Sequence, residues 1–263
     1  MNYRGGWALI KGLWLSWLQY RSFFFILAFG WMIPPLIYLF VWTSAAGQGT
    51  LNGYSRGAFV AYYLVMILVN QITYAQTNWT VGDLIRSGDF NRILLRPISP
   101  LYDALASEIA GKVVYLVFDL PVVIGLAVLL KPEFQVTAVE ALAFIPALLL
   151  AWALRFFWGY GLALFAFWSS RADALLALQD TLIFLIGGQI APLALLPGWL
   201  SQIAKAAPFR YMLAFPVEIL TGSLSANELA QGLVLQGFWV VLTVIAYRMI
   251  WKSGLRRYSA VGG

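Results

Sequence analysis

The chain contains a succession of apolar segments, each about as long as a lipid bilayer is thick, separated by short polar stretches. A transmembrane helix needs roughly 20 consecutive apolar residues. Of the 263 residues, 62% are hydrophobic and 11% are charged, whereas an ordinary soluble domain carries roughly 25% charged residues. Because backbone polar groups in hydrocarbon must bond within their own segment, the segments are predicted to be helices. The sequence therefore predicts an all-α membrane protein with one transmembrane domain over residues 1–263.

Six transmembrane helices are predicted, and Pro34-Pro35 is expected to kink the first of them. Residues 7–20 repeat tryptophan and leucine at helical spacing, which predicts a helix lying in the membrane interface. Between spans five and six, residues 199–220 contain charges and prolines, which favours short extracytoplasmic helices. The predicted spans cover about residues 23–42, 58–75, 104–130, 139–168, 174–196 and 229–251.

Lysines and arginines predict the orientation of these spans. With a cytosolic N-terminus, twelve of the 17 basic residues fall on the cytosolic side and four on the other, and Arg155 lies inside a span. Cytosolic loops of membrane proteins carry such an excess. Both termini are therefore predicted to be cytosolic.

Several kinds of chemistry are excluded by composition. The chain has no cysteine and no histidine, which rules out thiol nucleophiles, Cys/His zinc sites and Ser-His-Asp relays. No G-x-x-x-x-G-K-[ST] phosphate loop occurs, so any ATP hydrolysis must come from a partner. The net charge of +6 is spread over loops and termini, a distribution that favours contact with anionic lipid and not with nucleic acid. We predict no catalytic, cofactor-binding or metal-binding residue and no enzyme activity in this chain.

A charged segment, residues 80–100, lies between spans two and three and is called the connector below. It holds Arg86, Arg92 and Arg96 together with Pro97 and Pro100. Arginines resist crossing the membrane, and X-Pro bonds end helices. The pattern predicts a short structured cytosolic connector that serves as a docking surface. The alternative is a solvated loop that merely follows the positive-inside rule.

Two regions resemble the ABC-2 family of ABC transporter permeases. The first is Leu94-Leu95-Arg96-Pro97-Ile98-Ser99-Pro100 after span two. The second is Leu196-Pro197-Gly198-Trp199-Leu200 after span five, followed by Ala207-Pro208-Phe209-Arg210-Tyr211 and Glu218-Ile219-Leu220-Thr221-Gly222. Within the family the chain is most similar to small bacterial permeases that are encoded with a second, related permease and a separate ATPase.

This resemblance implies a bacterial inner-membrane exporter for an amphipathic, drug-like or lipid-linked substrate. It implies a dimer with an identical or a related permease, and two cytosolic ATPase subunits that bind ATP and Mg²⁺. Short coupling helices would transmit the ATP-driven movement of those subunits. The residues that match the coupling position, with the polar residues beside them, are Val81, Asp83, Leu84, Ile85, Arg86, Asp89 and Arg92.

Ionisable and amide side chains inside the predicted spans form a second group of candidates. Asp119 and Arg155 each cost roughly 2.5 to 3.5 kcal/mol to insert alone, so they are expected to pair or to face a polar cavity. A structural pair between adjacent helices and a role in substrate binding or conformational change both remain open. Further candidates for a translocation path are Asp180, Gln179, Gln189, Asn70 and Gln71, for which helix packing is the alternative.

Two other functions compete with the ATP-driven permease. An ion-coupled secondary transporter would need coupling-ion chemistry in the membrane and often shows inverted repeats, and only Asp119 and Asp180 favour it. An intramembrane enzyme is disfavoured because the chain lacks histidine, cysteine and a clustered carboxylate motif.

Overall fold

The structure, a computed structural model, describes residues 3–19 and 21–258 and is predominantly helical. A two-stranded antiparallel hairpin, β1 (Thr50–Leu51) and β2 (Tyr54–Ser55), pairs Thr50 with Ser55. Short 3-10 helices cover Leu164–Phe167 and Leu193–Leu195. The α-helices are α1 (Tyr3–Gln19), α2 (Arg21–Ala46), α3 (Arg56–Thr73), α4 (Thr77–Ser87), α5 (Phe90–Leu94), α6 (Pro100–Leu130), α7 (Ala138–Ala163), α8 (Ala172–Ile186), α9 (Gly198–Ala206), α10 (Pro208–Met212), α11 (Ala214–Leu220) and α12 (Ala226–Arg257).

Among the described residues, five helical segments are long and apolar enough to cross a membrane. They correspond to predicted spans one, two, three, four and six, and they are Phe29–Ala46, Arg56–Ser87, Pro100–Leu130, Ala138–Phe167 and Ala226–Arg257. Several of the helices extend past the predicted limits because capping residues, which are polar, define their ends. Thr137 with Glu140 and Ser225 with Glu228 form capping boxes at the starts of α7 and α12.

The predicted fifth span, residues 174–196, is not one continuous helix. Helix α8 ends at Ile186, and Gly188 then adopts a φ of +91°. Glycine takes this conformation at little cost, and the following Pro192 has no N–H with which to continue a helix. The apolar residues after Ile186 therefore form irregular backbone and a short 3-10 turn, and the count of six spans remains a prediction.

The N-terminal interfacial helix predicted over residues 7–20 corresponds to α1, and Tyr20 lies outside the described residues. Helix α1 packs against α6, and its position relative to a membrane surface remains a prediction. Between the first two predicted spans, α2 continues to Ala46, and the hairpin β1–β2 occupies residues 50–55.

Helix α3 lies at the centre of the bundle and packs against α2, α6, α7 and α11. Almost all of its side chains are buried, including Phe59, Tyr62 and Tyr63. Helix α7 packs most extensively against α12. The end of the bundle that carries β1–β2 is called the hairpin side below, and the end that carries α4 and α5 is called the connector side. Each long helix runs between these two ends.

Candidate functional site

The connector is a folded element and not a solvated loop. On α4, Val81, Gly82 and Ile85 are buried, whereas Asp83 and Arg86 are exposed. The buried face packs against α7 and the 3-10 helix Leu164–Phe167. Helix α4 ends at Gly88, which adopts the left-handed conformation with a φ of +82°. The connector therefore has one face fixed to the bundle and one face directed away from it.

Aromatic contacts hold the second connector helix, α5, in place. Phe90 is fully buried and packs edge-to-face against Phe167, Trp251 and Tyr258. The hydroxyl of Tyr258 also donates a hydrogen bond to the carbonyl oxygen of Gly88 at 3.3 Å. The end of α12 therefore lies beside the connector.

Arg86 is engaged within the chain. Its guanidinium pairs with Asp83, lies 3.2 Å from the Asp173 carboxylate and donates to the Ser170 carbonyl at 3.0 Å. These contacts join α4 to the start of α8. A substitution of Arg86 would therefore change the fold of the connector as well as any surface for a partner.

Exposed residues along the connector form what is called the docking surface below. Leu95 is 86% exposed, and the side chain of Arg92 is 83% exposed with an ion pair to Asp89 at 3.7 Å. Ile98 is exposed as well, and Arg96 is held by Asp103 at 3.0 Å. The docking surface comprises Asp83, Asp89, Arg92, Leu95 and Ile98.

The candidate coupling residues thus divide into two groups. Val81 and Ile85 are buried and Leu84 is half-buried, so they anchor the connector, whereas Asp83, Asp89 and Arg92 are exposed. Leu95 was not among the predicted site residues. The sequence signal for Leu95 was that this apolar residue does not belong to the buried face of either α4 or α5.

The predicted pair of Asp119 and Arg155 does not form. Arg155 is 4% exposed, and its guanidinium donates to Asn70 Oδ1 at 2.8 Å and to Thr73 Oγ1 at 3.2 Å. It also lies 3.9 Å from Asp180 Oδ1 and 5.0 Å from the centre of the Tyr74 ring. Its carboxylate partner is therefore on α8, not α6.

Asp119 does not reach Arg155 because α6 and α7, although consecutive long helices, have largely different neighbours. Helix α6 packs against α1, α2, α3 and α4, whereas α7 packs chiefly against α12, α11, α3 and α8. Measured from the hairpin side at 1.5 Å per residue, Asp119 is about 17 Å along α6 and Arg155 about 25 Å along α7. Asp119 is fully buried, and among the residues that the structure describes neither of its carboxyl oxygens has a hydrogen-bond partner.

The other path candidates gather only in part around Arg155. Asn70 contacts it directly, and the side chain of Asp180 is 30% exposed. Gln179 is buried and donates to Asp180 Oδ1 at 3.3 Å. Gln71 lies one residue beyond Asn70 and lines a small cavity beside Tyr74. Gln189 lies in the irregular segment after α8, away from this cluster.

The sequence did not predict a second buried pair, Glu108 and Lys112 on α6. Glu108 Oε2 accepts from Lys112 Nζ at 2.9 Å, and Glu108 Oε1 accepts from the backbone N–H of Thr77 at 2.6 Å. Lys112 Nζ also donates to the Tyr74 carbonyl oxygen at 2.7 Å. The available signal was the glutamate–lysine spacing of four residues, which places both side chains on one helix face.

Three further polar contacts beyond the predictions lie toward the hairpin side. Arg210 on α10 and Glu218 on α11 are both buried, and their closest atoms are 2.7 Å apart. Tyr62 and Tyr63 on α3 donate to the carbonyl oxygens of Gly188 and Ile190 at 2.9 and 2.7 Å. The hydroxyls therefore satisfy backbone groups that the irregular segment after α8 leaves without helical partners.

Long apolar helices, short connections and a folded polar element at one end define a multi-pass helical membrane protein. The sequence model of the family described as ABC-2 family transporter protein matches residues 29–262, and the chain belongs to that family. No curated protein and no solved structure matches it. The predicted resemblance is therefore confirmed. Membership makes the chain a permease subunit of an ABC transporter, in a family that associates with an ABC ATPase and whose subunits transport and do not themselves catalyse.

Proposed function

We propose that the chain is the permease of an ATP-driven exporter, and that a separate ATPase subunit binds the docking surface of its connector. Exposed Leu95 on a folded polar element is the observation that carries this proposal. A large apolar side chain with charged residues around it is the pattern of an interface, in which apolar contacts lie at the centre and polar ones at the rim.

Rigidity of the connector supports a role in force transmission. Helices α4 and α5 are fixed to α7 and α12 through Val81, Ile85 and Phe90. A partner that moves the docking surface would move this packed layer with it, because well-packed interiors deform little. A disordered basic loop would absorb the same movement without displacing the membrane helices.

The charge distribution supports a cytosolic position for the connector. Tyr258 contacts Gly88, so the end of α12, which carries Lys252, Arg256 and Arg257, lies on the connector side. These residues add to the arginines of the connector itself, and cytosolic ends of membrane helices are enriched in lysine and arginine. The proposed complex lies in the bacterial inner membrane with both chain termini cytosolic.

The proposed complex contains two permease chains, identical or related, and two ATPase subunits that bind ATP and Mg²⁺. The proposed substrate is amphipathic, drug-like or lipid-linked. Asp180 is the ionisable side chain that best suits a translocation path, because it is partly exposed and its charge is only partly balanced by Arg155 at 3.9 Å.

Co-purification tests the proposal. The tagged chain is extracted from its native membrane in mild detergent, associated proteins are identified by mass spectrometry, and ATP hydrolysis is measured in the eluate. Arg92→Glu and Leu95→Asp are compared with Phe134→Asp, since Phe134 is a 50% exposed aromatic residue on the hairpin side. We expect an ATPase with the unaltered chain and with the Phe134 variant, and its loss from both docking-surface variants.

Two results would contradict this proposal. One is an ATPase that remains bound to both docking-surface variants, which would place the interface elsewhere. The other is a chain that purifies without any ATPase under conditions that preserve a known ABC complex, which would favour an ion-coupled secondary transporter.

A further inference from the structure

The path from the docking surface into the membrane passes through a break between two helices. Helix α3 ends at Thr73 and α4 begins at Thr77, and residues 74–76 are called the α3–α4 break. A helix end leaves backbone N–H or C=O groups without intrahelical partners. The break therefore exposes the carbonyl end of α3 and the amide end of α4 to the same surroundings.

Glu108 and Lys112 of α6 meet these two ends with matching charge. Lys112 donates to the Tyr74 carbonyl at the end of α3, and Glu108 accepts from the Thr77 N–H at the start of α4. Cations favour the C-terminal end of a helix and anions the N-terminal end. Both side chains are largely buried, so water screens these interactions only weakly.

Arg155 holds the same break from the opposite side. It bonds to Asn70 and Thr73 in the last turn of α3, and its guanidinium lies over the Tyr74 ring. Gln76 within the break accepts a hydrogen bond from the Tyr115 hydroxyl at 2.9 Å. Side chains from α6 and α7 therefore fix the break from two directions.

A small, partly open cavity lies beside the break. The cavity beside it measures about 20 Å³, which is room for about one water molecule. Residues that line it include Trp31, Gln71, Tyr74, Lys112 and Tyr115. The angle between α3 and α4 is therefore set by hydrogen bonds and packing and not by chance orientation of a loose linker.

We propose that Glu108 and Lys112 are positioning residues that fix α4 relative to α3 and so carry movement of the connector into the central helix of the bundle. This inference rests on the proposed function, because it assumes that an ATPase moves the connector. The two residues do not contact substrate or nucleotide. They act by keeping the two helix ends in one geometry while the connector is displaced.

Hydrogen exchange measured by mass spectrometry tests this proposal in two arms. In the first arm, the chain alone is compared with Glu108→Gln, Lys112→Met and the exchanged pair Glu108→Lys with Lys112→Glu. Removing a charged partner from the end of a helix weakens a charge-assisted hydrogen bond. We expect amides of residues 77–87 to exchange roughly tenfold faster in all three variants.

Glu140→Gln serves as the matched control. Glu140 is also a buried glutamate that accepts a hydrogen bond from a backbone N–H at a helix start, in this case Thr137 at 2.7 Å. It lies on the hairpin side, far from the α3–α4 break. We expect faster exchange near residue 138 in this variant and unchanged exchange over residues 77–87.

The exchanged pair separates positioning from simple pairing. It keeps a glutamate and a lysine four residues apart on α6, but it places an ammonium group beside the Thr77 N–H and a carboxylate beside the Tyr74 carbonyl. If the two residues only bonded to each other, this variant would restore slow exchange. We expect it to exchange at least as fast as Glu108→Gln.

The second arm uses the purified complex with its ATPase, with and without ATP and vanadate. We expect nucleotide to change the exchange of residues 62–73 in the unaltered complex. Glu108→Gln and Lys112→Met should retain the ATPase and its hydrolysis but lose at least half of that change. A merely stabilising role would leave the nucleotide-dependent difference intact.

The two proposals fail in distinguishable ways. If no ATPase accompanies the unaltered chain, the proposed docking function fails, and the first arm alone decides whether Glu108 and Lys112 position α4. The positioning proposal is overturned if exchange over residues 77–87 is the same in the unaltered chain and the single variants. A nucleotide-dependent change that survives in both single variants, with the ATPase bound, also overturns it.

Discussion

Replacing Glu218 by glutamine should destabilise the chain more than any other single neutralisation of a carboxylate on the hairpin side. Glu218 Oε2 accepts from two nitrogens of Arg210, at 3.0 and 2.7 Å, and both residues are buried. The guanidinium also lies 3.5 Å from the Tyr211 hydroxyl and over the rings of Tyr211 and Phe215. Neither of these two residues carries a compensating negative charge.

The structure sets the size of this effect. Each hydrogen bond to a charged group contributes about 1.5–3 kcal/mol, and breaking a buried ion pair from one side costs about 3–5 kcal/mol because a charge is left without a partner. We therefore expect Glu218→Gln to lower the free energy of unfolding by about 4 kcal/mol. This corresponds to a fall of roughly 10 °C in the midpoint of thermal unfolding.

A double variant distinguishes two causes of lost stability: a buried charge without its partner, and the loss of packing contacts. Arg210→Met combined with Glu218→Leu removes both charges and retains apolar volume, and replacing a buried pair in this way is often neutral. We expect the double variant to recover most of the stability that Glu218→Gln loses. Unfolding in mixed micelles, followed by far-ultraviolet circular dichroism, measures the three free energies.

A loss of less than about 1 kcal/mol for Glu218→Gln, the range of an exposed pair, would contradict this expectation. A double variant less stable than Glu218→Gln would also contradict it, because the packing of α10 against α11 would then depend on the ion pair itself.

Three further predictions test other contacts by the same unfolding measurement. Arg155→Met and Asn70→Ala should show a coupling energy of about 1–2 kcal/mol in a double-mutant cycle, because the two side chains are buried and 2.8 Å apart; a coupling near zero would contradict the geometry. Tyr62→Phe should cost about 0.5–1.5 kcal/mol and speed hydrogen exchange after Ile186, since it removes the bond to the Gly188 carbonyl; unchanged exchange there would count against this role. Gly88→Ala should cost roughly 1 kcal/mol, because Gly88 has a φ of +82°; no measurable loss of stability in this variant would contradict that reason.

Hydropathy was sufficient to predict the long helices and the connector. Apolar runs longer than 18 residues have few alternatives to a membrane helix, and five such helical segments are present among the described residues. The connector was visible because charged residues and prolines interrupt those runs at one place. Its fold was also partly visible, since Val81 and Ile85 are four residues apart and lie on one helix face.

Hydropathy did not predict the break in span five. A window average does not distinguish an apolar helix from apolar irregular backbone, and residues 187–196 are apolar in either form. Gly187-Gly188 and Pro192 were the local signal. The partners that make the irregular form stable, Tyr62 and Tyr63, lie more than 120 residues away in the chain.

The partners of the buried charges could not be predicted, because they depend on which helices are neighbours and the sequence does not specify that. Adjacent spans were expected to bring Asp119 to Arg155, but α6 and α7 each pack against α3 and not extensively against each other. Arg155 instead meets α8 and the end of α3. The four-residue spacing of Glu108 and Lys112 could have predicted their pairing. Their proposed role depends on the α3–α4 break, however, which only the structure shows.

Site-specific photo-crosslinking tests the central claim most directly. A photoreactive amino acid is placed at residue 95 in the docking surface or at residue 134 on the hairpin side, and crosslinked proteins in native membranes are identified by mass spectrometry. We predict an adduct between residue 95 and an ABC ATPase, and no ATPase adduct from residue 134. Irradiation that yields no ATPase adduct at residue 95, or yields it equally from residue 134, would contradict the assignment of the connector as the ATPase-binding surface.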